Sequence, residues 1–205
     1  MTFVLFCIGS YLLGSLPFGV FVSRAYGVDI MSVGSGNIGA TNVWRTLGPR
    51  AGMLVFVLDI AKSALPAYVG TRLFGTLDYG FYAGLAAIAG HMWSPFLKFK
   101  GGKGIASGLG VLIGAMPGLA AVIFACFAVC LAVTRYVSLS SLITALVLAI
   151  LVWVMKVPLS VQVATTLFVV FIFFKHRSNM SRLRAGTESK FHFKRTGAAK
   201  KPEDN

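Results

Sequence analysis

Long apolar runs separated by short polar, glycine-rich segments organise this chain. The first run, Thr2 to Val22, is long enough to span a bilayer. It has no basic leader and no small-x-small cleavage site, so it is expected to be retained. A polar stretch follows at 24–50. A second run at about 51–74 carries Asp59 and Lys62, and a third extends from Tyr79 to Leu97. After a basic turn, Lys98 to Gly104, hydropathy alone suggests runs at 105–133, 137–155 and 158–174. Runs of this length and number predict a polytopic all-helical membrane protein.

Charge changes the span count. Residues 24–50 net +2, residues 98–104 net +3, and residues 175–205 carry nine bases against three acids. The positive-inside rule puts all three segments in the cytoplasm, so an even number of crossings must separate Gly104 from Lys175. Pro117, with Gly114 and Gly118 beside it, divides the 29-residue run. The pieces are a short helix at 105–115 and a full one at 117–133. At 1.5 Å per residue the short piece is about 17 Å long, a half-span. The expectation is therefore seven transmembrane helices, one of them short, with the N-terminus outside and the C-terminus cytoplasmic. Six helices, one re-entrant, is the alternative. No repeat is visible. Residues 1–188 form one membrane-embedded domain in this reading, and 189–205 a basic polar cytoplasmic tail.

Composition excludes other classes. Of 205 residues, 57% are hydrophobic and 12% charged, with mean hydropathy +0.80. A soluble domain would leave much of that apolar surface exposed. The net charge of +13 is that of a membrane protein's basic loops and tail rather than of a nucleic-acid binder. Cys7, Cys126 and Cys130 lie inside apolar runs and lack metal-ligand partners.

Chemistry concentrates in three polar segments. The first, Gly34-Ser-Gly-Asn-Ile-Gly-Ala-Thr-Asn-Val-Trp-Arg45, contains a formal dinucleotide fingerprint. No strand precedes it, so that reading fails its context test. Its physics remains, because closely spaced glycines let backbone N–H groups approach an anion. Ser35, Asn37, Thr41 and Asn42, with backbone at Gly36, supply neutral donors, and Arg45 a bidentate one. The second segment, Phe99-Lys-Gly-Gly-Lys-Gly-Ile-Ala-Ser107, is not a Walker A loop, since Gly104 follows Lys103 where Ser or Thr belongs. It reads as a phosphate cradle of Gly101, Gly102, Lys103 and Gly104 at a helix mouth. In the third, His176 and Asn179 face one side if the helix continues. Glu188 reads as a salt-bridge partner. Asp59 and Lys62, spaced i,i+3, read as a structural pair in the second helix. His91 reads as a buried hydrogen-bonding residue. No His-x-x-x-x-Asp, paired carboxylate or metal-ligand set is present, so neither metal nor cofactor is expected. Phosphate-bearing substrates, one of them lipidic, suit three anion-binding segments around a membrane core. A small-anion transporter is the competing class, and a non-catalytic assembly subunit the third.

The three segments resemble the bacterial acyl-phosphate:glycerol-3-phosphate acyltransferase family. The match takes in the Gly34–Arg45 segment, Gly90-His-Met-Trp-Ser-Pro-Phe-Leu-Lys-Phe-Lys-Gly-Gly-Lys-Gly104, and His176-Arg-Ser-Asn-Met-Ser-Arg-Leu-Arg-Ala-Gly-Thr-Glu188, in order over residues 10–190. Trp44, Ser107 and Met180 are minor departures. The resemblance implies a seven-helix inner-membrane enzyme with a cytoplasmic active site. It would transfer an acyl chain from acyl phosphate to the 1-hydroxyl of glycerol 3-phosphate, giving lysophosphatidic acid and phosphate in phospholipid synthesis. It also implies site roles for Ser35, Arg45, Lys103 with its glycines, His176 and Asn179, and a structural role for Glu188.

Overall fold

The computed structural model describes residues 1–192, and these contain helices and no strand. The part of the expected tail at 193–205 lies outside the described residues. In chain order the helices are α1 (Thr2–Gly14), α2 (Phe18–Ala25), α3 (Ala40–Leu47), α4 (Pro49–Phe74), α5 (Leu77–Met92), α6 (Ile105–Ala115), α7 (Pro117–Thr134), α8 (Val137–Val154), α9 (Leu159–Lys175) and α10 (Arg177–Arg184). A 3₁₀ turn covers Pro95–Leu97.

The α1–α2 unit, α4, α7 and α8 are each long and apolar enough to cross a membrane. The α9–α10 pair also qualifies, with a bend of 56° between its halves. Three local outcomes differ from the apolar pattern. The first run is broken at Ser15–Pro17, because Pro17 has no N–H to continue the α1 ladder. The polar stretch 24–50 contains a helix, α3, between Gly39 and Gly48. The third run leaves the helix at Trp93, ahead of Pro95, as residues before proline tend to.

The short helix at 105–115 is present as α6, and Pro117 starts α7 where its missing donor costs nothing. Contacts between helices rely on small residues, as they do in membranes. A Cβ on Gly14 would lie 2.0 Å from the carbonyl oxygen of Ala87, and one on Gly110 2.3 Å from that of Ile60. These approaches draw α1 onto α5 and α6 onto α4. The polar loop is pinned by its own apolar residues: Ile30 and Ile38 are buried with Val20, Val43 and Val55 in a core shared by α2, α3 and α4. That core fixes the loop's open face toward the start of α6.

Candidate functional site

The three segments meet around one cleft of about 830 Å³, mouth included. Its wall holds Ser35, Asn37, Thr41, Asn42 and Arg45 from the first segment, Lys103 and Gly104 from the second, and His176, Asn179 and Glu188 from the third. Gly36, Gly101 and Gly102 shape the loops rather than line the cleft. Gly36 stands at φ 65°, which a side chain rarely adopts.

Asn42 builds the first loop. Its Nδ2 donates to the carbonyls of Ile30, Val33 and Asn37 at 3.0–3.2 Å, and its Oδ1 accepts the Ser35 N–H at 2.9 Å. Its polar atoms are thus committed inside the loop, although it borders the cleft. Asn37 Oδ1 accepts the Gly39 N–H at 2.8 Å and turns the chain into α3. Residues from the first turns of both α3 and α6 line the cleft, so two helix N-termini add positive potential there. Ser35 is exposed at the cleft. Arg45 is also exposed, and its guanidinium donates to the carbonyl of Ser189 at 2.8 Å.

A relay crosses the opposite wall. Lys103 Nζ donates to Asn179 Oδ1. Asn179 Nδ2 donates to Glu188 Oε1 at 2.7 Å, and the same oxygen accepts from Ser138 Oγ at 2.7 Å. Arg182 Nε donates to Glu188 Oε2 at 2.7 Å. Burial pushes the Glu188 carboxyl up, but the hydrogen bonds from Ser138, Asn179 and Arg182 outweigh it and hold the group below its ordinary value. Glu188 is therefore an ionised hub: the salt bridge that the sequence suggested is made with Arg182, and Ser138 and Asn179 join it. Burial, reinforced by Arg182 and Arg45 and opposed by Glu188, lowers Lys103 to about 8.

His176 sits where α9 bends into α10. Its Nδ1–H donates to the carbonyl of Ile172 at 2.8 Å, which leaves Nε2 as an acceptor. Burial, then the charge of Lys103, lowers the imidazole to about 4, so it is neutral over the physiological range. Asp59 and Lys62 pair at 2.7 Å as the spacing implied. His91 joins them, its Nδ1 2.9 Å from Lys62 Nζ.

Sequence reasoning missed Ser138, Ser141 and Arg182, which also line the cleft. A signal existed for the first two: Val137-Ser-Leu-Ser-Ser141 puts three hydroxyls at the head of an apolar run. A second cleft of about 560 Å³, almost wholly apolar, opens between α6, α7, α8 and α9. Phe56, Ile105, Phe127 and Ser141 line both clefts and join them. The described part of the tail folds back: the Phe191 ring packs tilted against Trp44 with centroids 5.1 Å apart, and its N–H donates to the carbonyl of Arg135. No group of three or more His, Cys, Asp or Glu able to hold a metal occurs among the described residues.

Comparison with known proteins agrees with this geometry. The glycerol-3-phosphate acyltransferase family model matches residues 4–186. Glycerol-3-phosphate acyltransferase of Geobacter metallireducens is 45% identical over 92% of this chain and 97% of its own length. That of Geotalea daltonii is 42% identical over the same shares. A solved structure of PlsY, an integral membrane glycerol 3-phosphate acyltransferase, in its glycerol 3-phosphate form superposes with a TM-score of 0.90 at 38% identity, covering 94% of this chain and 96% of that one. The lysophosphatidic acid form of PlsY gives 0.87 at 37% identity, with 94% and 97% covered. With its three polar segments closed around one cleft and this likeness along nearly the whole chain, the protein belongs to the glycerol-3-phosphate acyltransferase family.

Proposed function

We propose that this protein transfers an acyl chain from acyl phosphate to the 1-hydroxyl of glycerol 3-phosphate, releasing lysophosphatidic acid and phosphate. One observation carries the reading: a cationic polar cleft opens directly into an apolar one through Phe56, Ile105, Phe127 and Ser141. A substrate with a phosphate head and a hydrocarbon tail fits that junction, with its reacting carbonyl at the boundary.

The chemistry needs little from protein acids or bases. Phosphate is already a good leaving group, so the main tasks are to align two anions and offset their repulsion. Lys103 holds the donor phosphate, supported by the N-terminus of α6. Arg45, Ser35, Thr41 and the loop N–H groups serve the other anion and the developing oxyanion. The acceptor oxygen attacks the acyl carbon, the carbon–oxygen bond to phosphate breaks, and the hydroxyl proton passes to the departing phosphate. His176 Nε2 accepts a hydrogen bond from the acceptor's other hydroxyl and so orients the attacking one, whose single proton stays free for the phosphate. A group lowered to about 4 is a weak general base at neutral pH. Asn42 and Glu188 act by holding the loop and the relay.

In this reading α1–α2 and α4 to α9 make seven crossings of the inner membrane, with α6 the short one. The N-terminus is outside, and the cleft and C-terminus face the cytoplasm. The basic segments support that orientation. Residues 1–188 are the catalytic unit, and the tail follows. The test is purified protein with acyl phosphate and glycerol 3-phosphate, assayed for lysophosphatidic acid. Efficient turnover of acyl-CoA in place of acyl phosphate refutes the donor assignment. Transport of glycerol 3-phosphate into vesicles without any acyl transfer refutes the enzyme reading in favour of a small-anion transporter.

A further inference from the structure

Asp59, Lys62 and His91 form a buried polar knot beneath the Gly101–Gly104 loop. Lys62 Nζ lies 2.7 Å from Asp59 Oδ1, 2.9 Å from His91 Nδ1 and 2.9 Å from the carbonyl of Leu16, at the break between α1 and α2. An ammonium has three hydrogens and no acceptor, so these partners use all of it. His91 Nδ1 is then the acceptor, and the ring carries its proton on Nε2. The three residues are 2–4% exposed. A buried ion pair is weak evidence for stability and calls for an account of what it fixes.

What it fixes is the loop that carries Lys103. The carbonyl of His91 accepts the Gly102 N–H at 3.1 Å. A Cβ on Gly101 would lie 2.2 Å from that same oxygen, and a Cβ on Gly102 would lie 2.0 Å from His91 Nε2. Neither glycine has a positive φ, so contact with His91, joined at Gly101 by the Met92 backbone, and not backbone freedom, excludes a side chain at both. On the far side of Lys103, Ser107 Oγ donates to the carbonyl of Asp59 at 3.4 Å. The knot therefore touches the chain on both sides of Lys103.

We infer that His91, oriented by Asp59 and Lys62, is a positioning residue for Lys103. Its ring and carbonyl form the bed on which Gly101 and Gly102 lie, and that bed sets where the Lys103 ammonium meets a phosphate. This rests on the role of Lys103 proposed above, and the test separates the two.

The experiment is a double-mutant cycle in kinetics. Activity is measured over a range of acyl phosphate for wild type, His91→Gln, Gly102→Ala, Lys103→Ala and the two doubles with Lys103→Ala. Folding is checked by thermal unfolding. His91→Gln and Gly102→Ala should each lower kcat/KM about tenfold or more, chiefly through KM for acyl phosphate. In the Lys103→Ala background the same changes should cost less than about twofold, because groups that act through one another are not additive. Equal losses in both backgrounds overturn the inference, as does wild-type activity in Gly102→Ala. If His91→Gln fails to fold, Gly102→Ala carries the test, since it removes none of the three knot side chains and disturbs only the seat of the loop on His91. Full activity in Lys103→Ala is a different result, and it overturns the phosphate role itself.

Discussion

The ionisation of Lys103 should set the alkaline limit of catalysis. Burial, with Arg182 and Arg45 nearby, brings its ammonium down to about 8, while Glu188 resists. The kcat/KM profile reports the free enzyme, so its falling limb should have a midpoint near that value. At pH 7 roughly nine-tenths of the enzyme then carries the charged lysine, and at pH 9 roughly a tenth. That is about a tenfold loss in kcat/KM over the interval, far earlier than an ordinary lysine would give. A bound donor phosphate favours the charged form, so the limb in kcat should lie at higher pH than that in kcat/KM. The assay is the initial rate of lysophosphatidic acid formation from pH 6 to 10 at several acyl phosphate concentrations. Lys103→Arg supplies the control, because a guanidinium stays protonated throughout. It should lower the rate but remove the limb. A wild-type profile flat to pH 10, or a limb unchanged in Lys103→Arg, refutes the reasoning. Stability gives a second check. The lowered value means the unfolded chain binds more protons than the folded one between about pH 8 and 10.5. Across that window wild type should gain stability relative to Lys103→Met as pH rises.

Three further outcomes are expected. His176 lowered to about 4 contributes no acid limb near pH 6.5, and His176→Gln, which keeps an acceptor, should retain roughly ten times the rate of His176→Ala, about the worth of one hydrogen bond. If both are equally inactive while the wild type titrates near 6.5, His176 is the base. Glu188→Gln removes the charge that Ser138, Asn179 and Arg182 address. With Arg182 side-chain exposure at 40% its share is small, and the loss should be about 2–3 kcal/mol, or roughly 5–10 °C in Tm. Because the Glu188 value is lowered on folding, the stability gap to wild type should be constant above about pH 4.5 and close as pH falls; a Tm unchanged at pH 7 contradicts the hub assignment. Single cysteines at Thr46 and Lys190, in a background with Cys7, Cys126 and Cys130 replaced by alanine, should both label from the cytoplasmic side. Labelling from opposite sides refutes an even number of crossings between them.

Much of the fold follows from local physics, which is why it is legible in the chain. Long apolar runs can satisfy their backbone in a bilayer only as helices or a closed barrel, and Pro117 has to end one helix and start another. The parity of basic segments called for a break in the 105–133 run, and the short helix it predicted is present as α6. Asp59 and Lys62 are one helical turn apart, so their pairing needs no tertiary information. The three glycine- and cation-bearing segments were also recognisable, because backbone approach and charge at a helix start are properties of a few consecutive residues.

Which groups are free to act was decided only by the tertiary structure. Asn42 and Ser35 look alike as loop donors, yet the burial of Ile30 and Ile38 turns Asn42 inward to hold the loop and leaves Ser35 exposed. Ser138 and Ser141 are indistinguishable in the run that carries them. Ser141 bonds back to the carbonyl of Val137, as hydroxyls in apolar helices often do, whereas Ser138 reaches Glu188, fifty residues on. His91 meets Lys62 across 29 residues, and Phe191 meets Trp44 from beyond the last helix. His176 has an ordinary imidazole in sequence. It becomes a neutral acceptor only because the bend between α9 and α10 buries it beside Lys103. Spacing along a chain specifies helices and their ends; desolvation and hydrogen-bond commitment depend on what is packed alongside, and that is settled when the helices assemble.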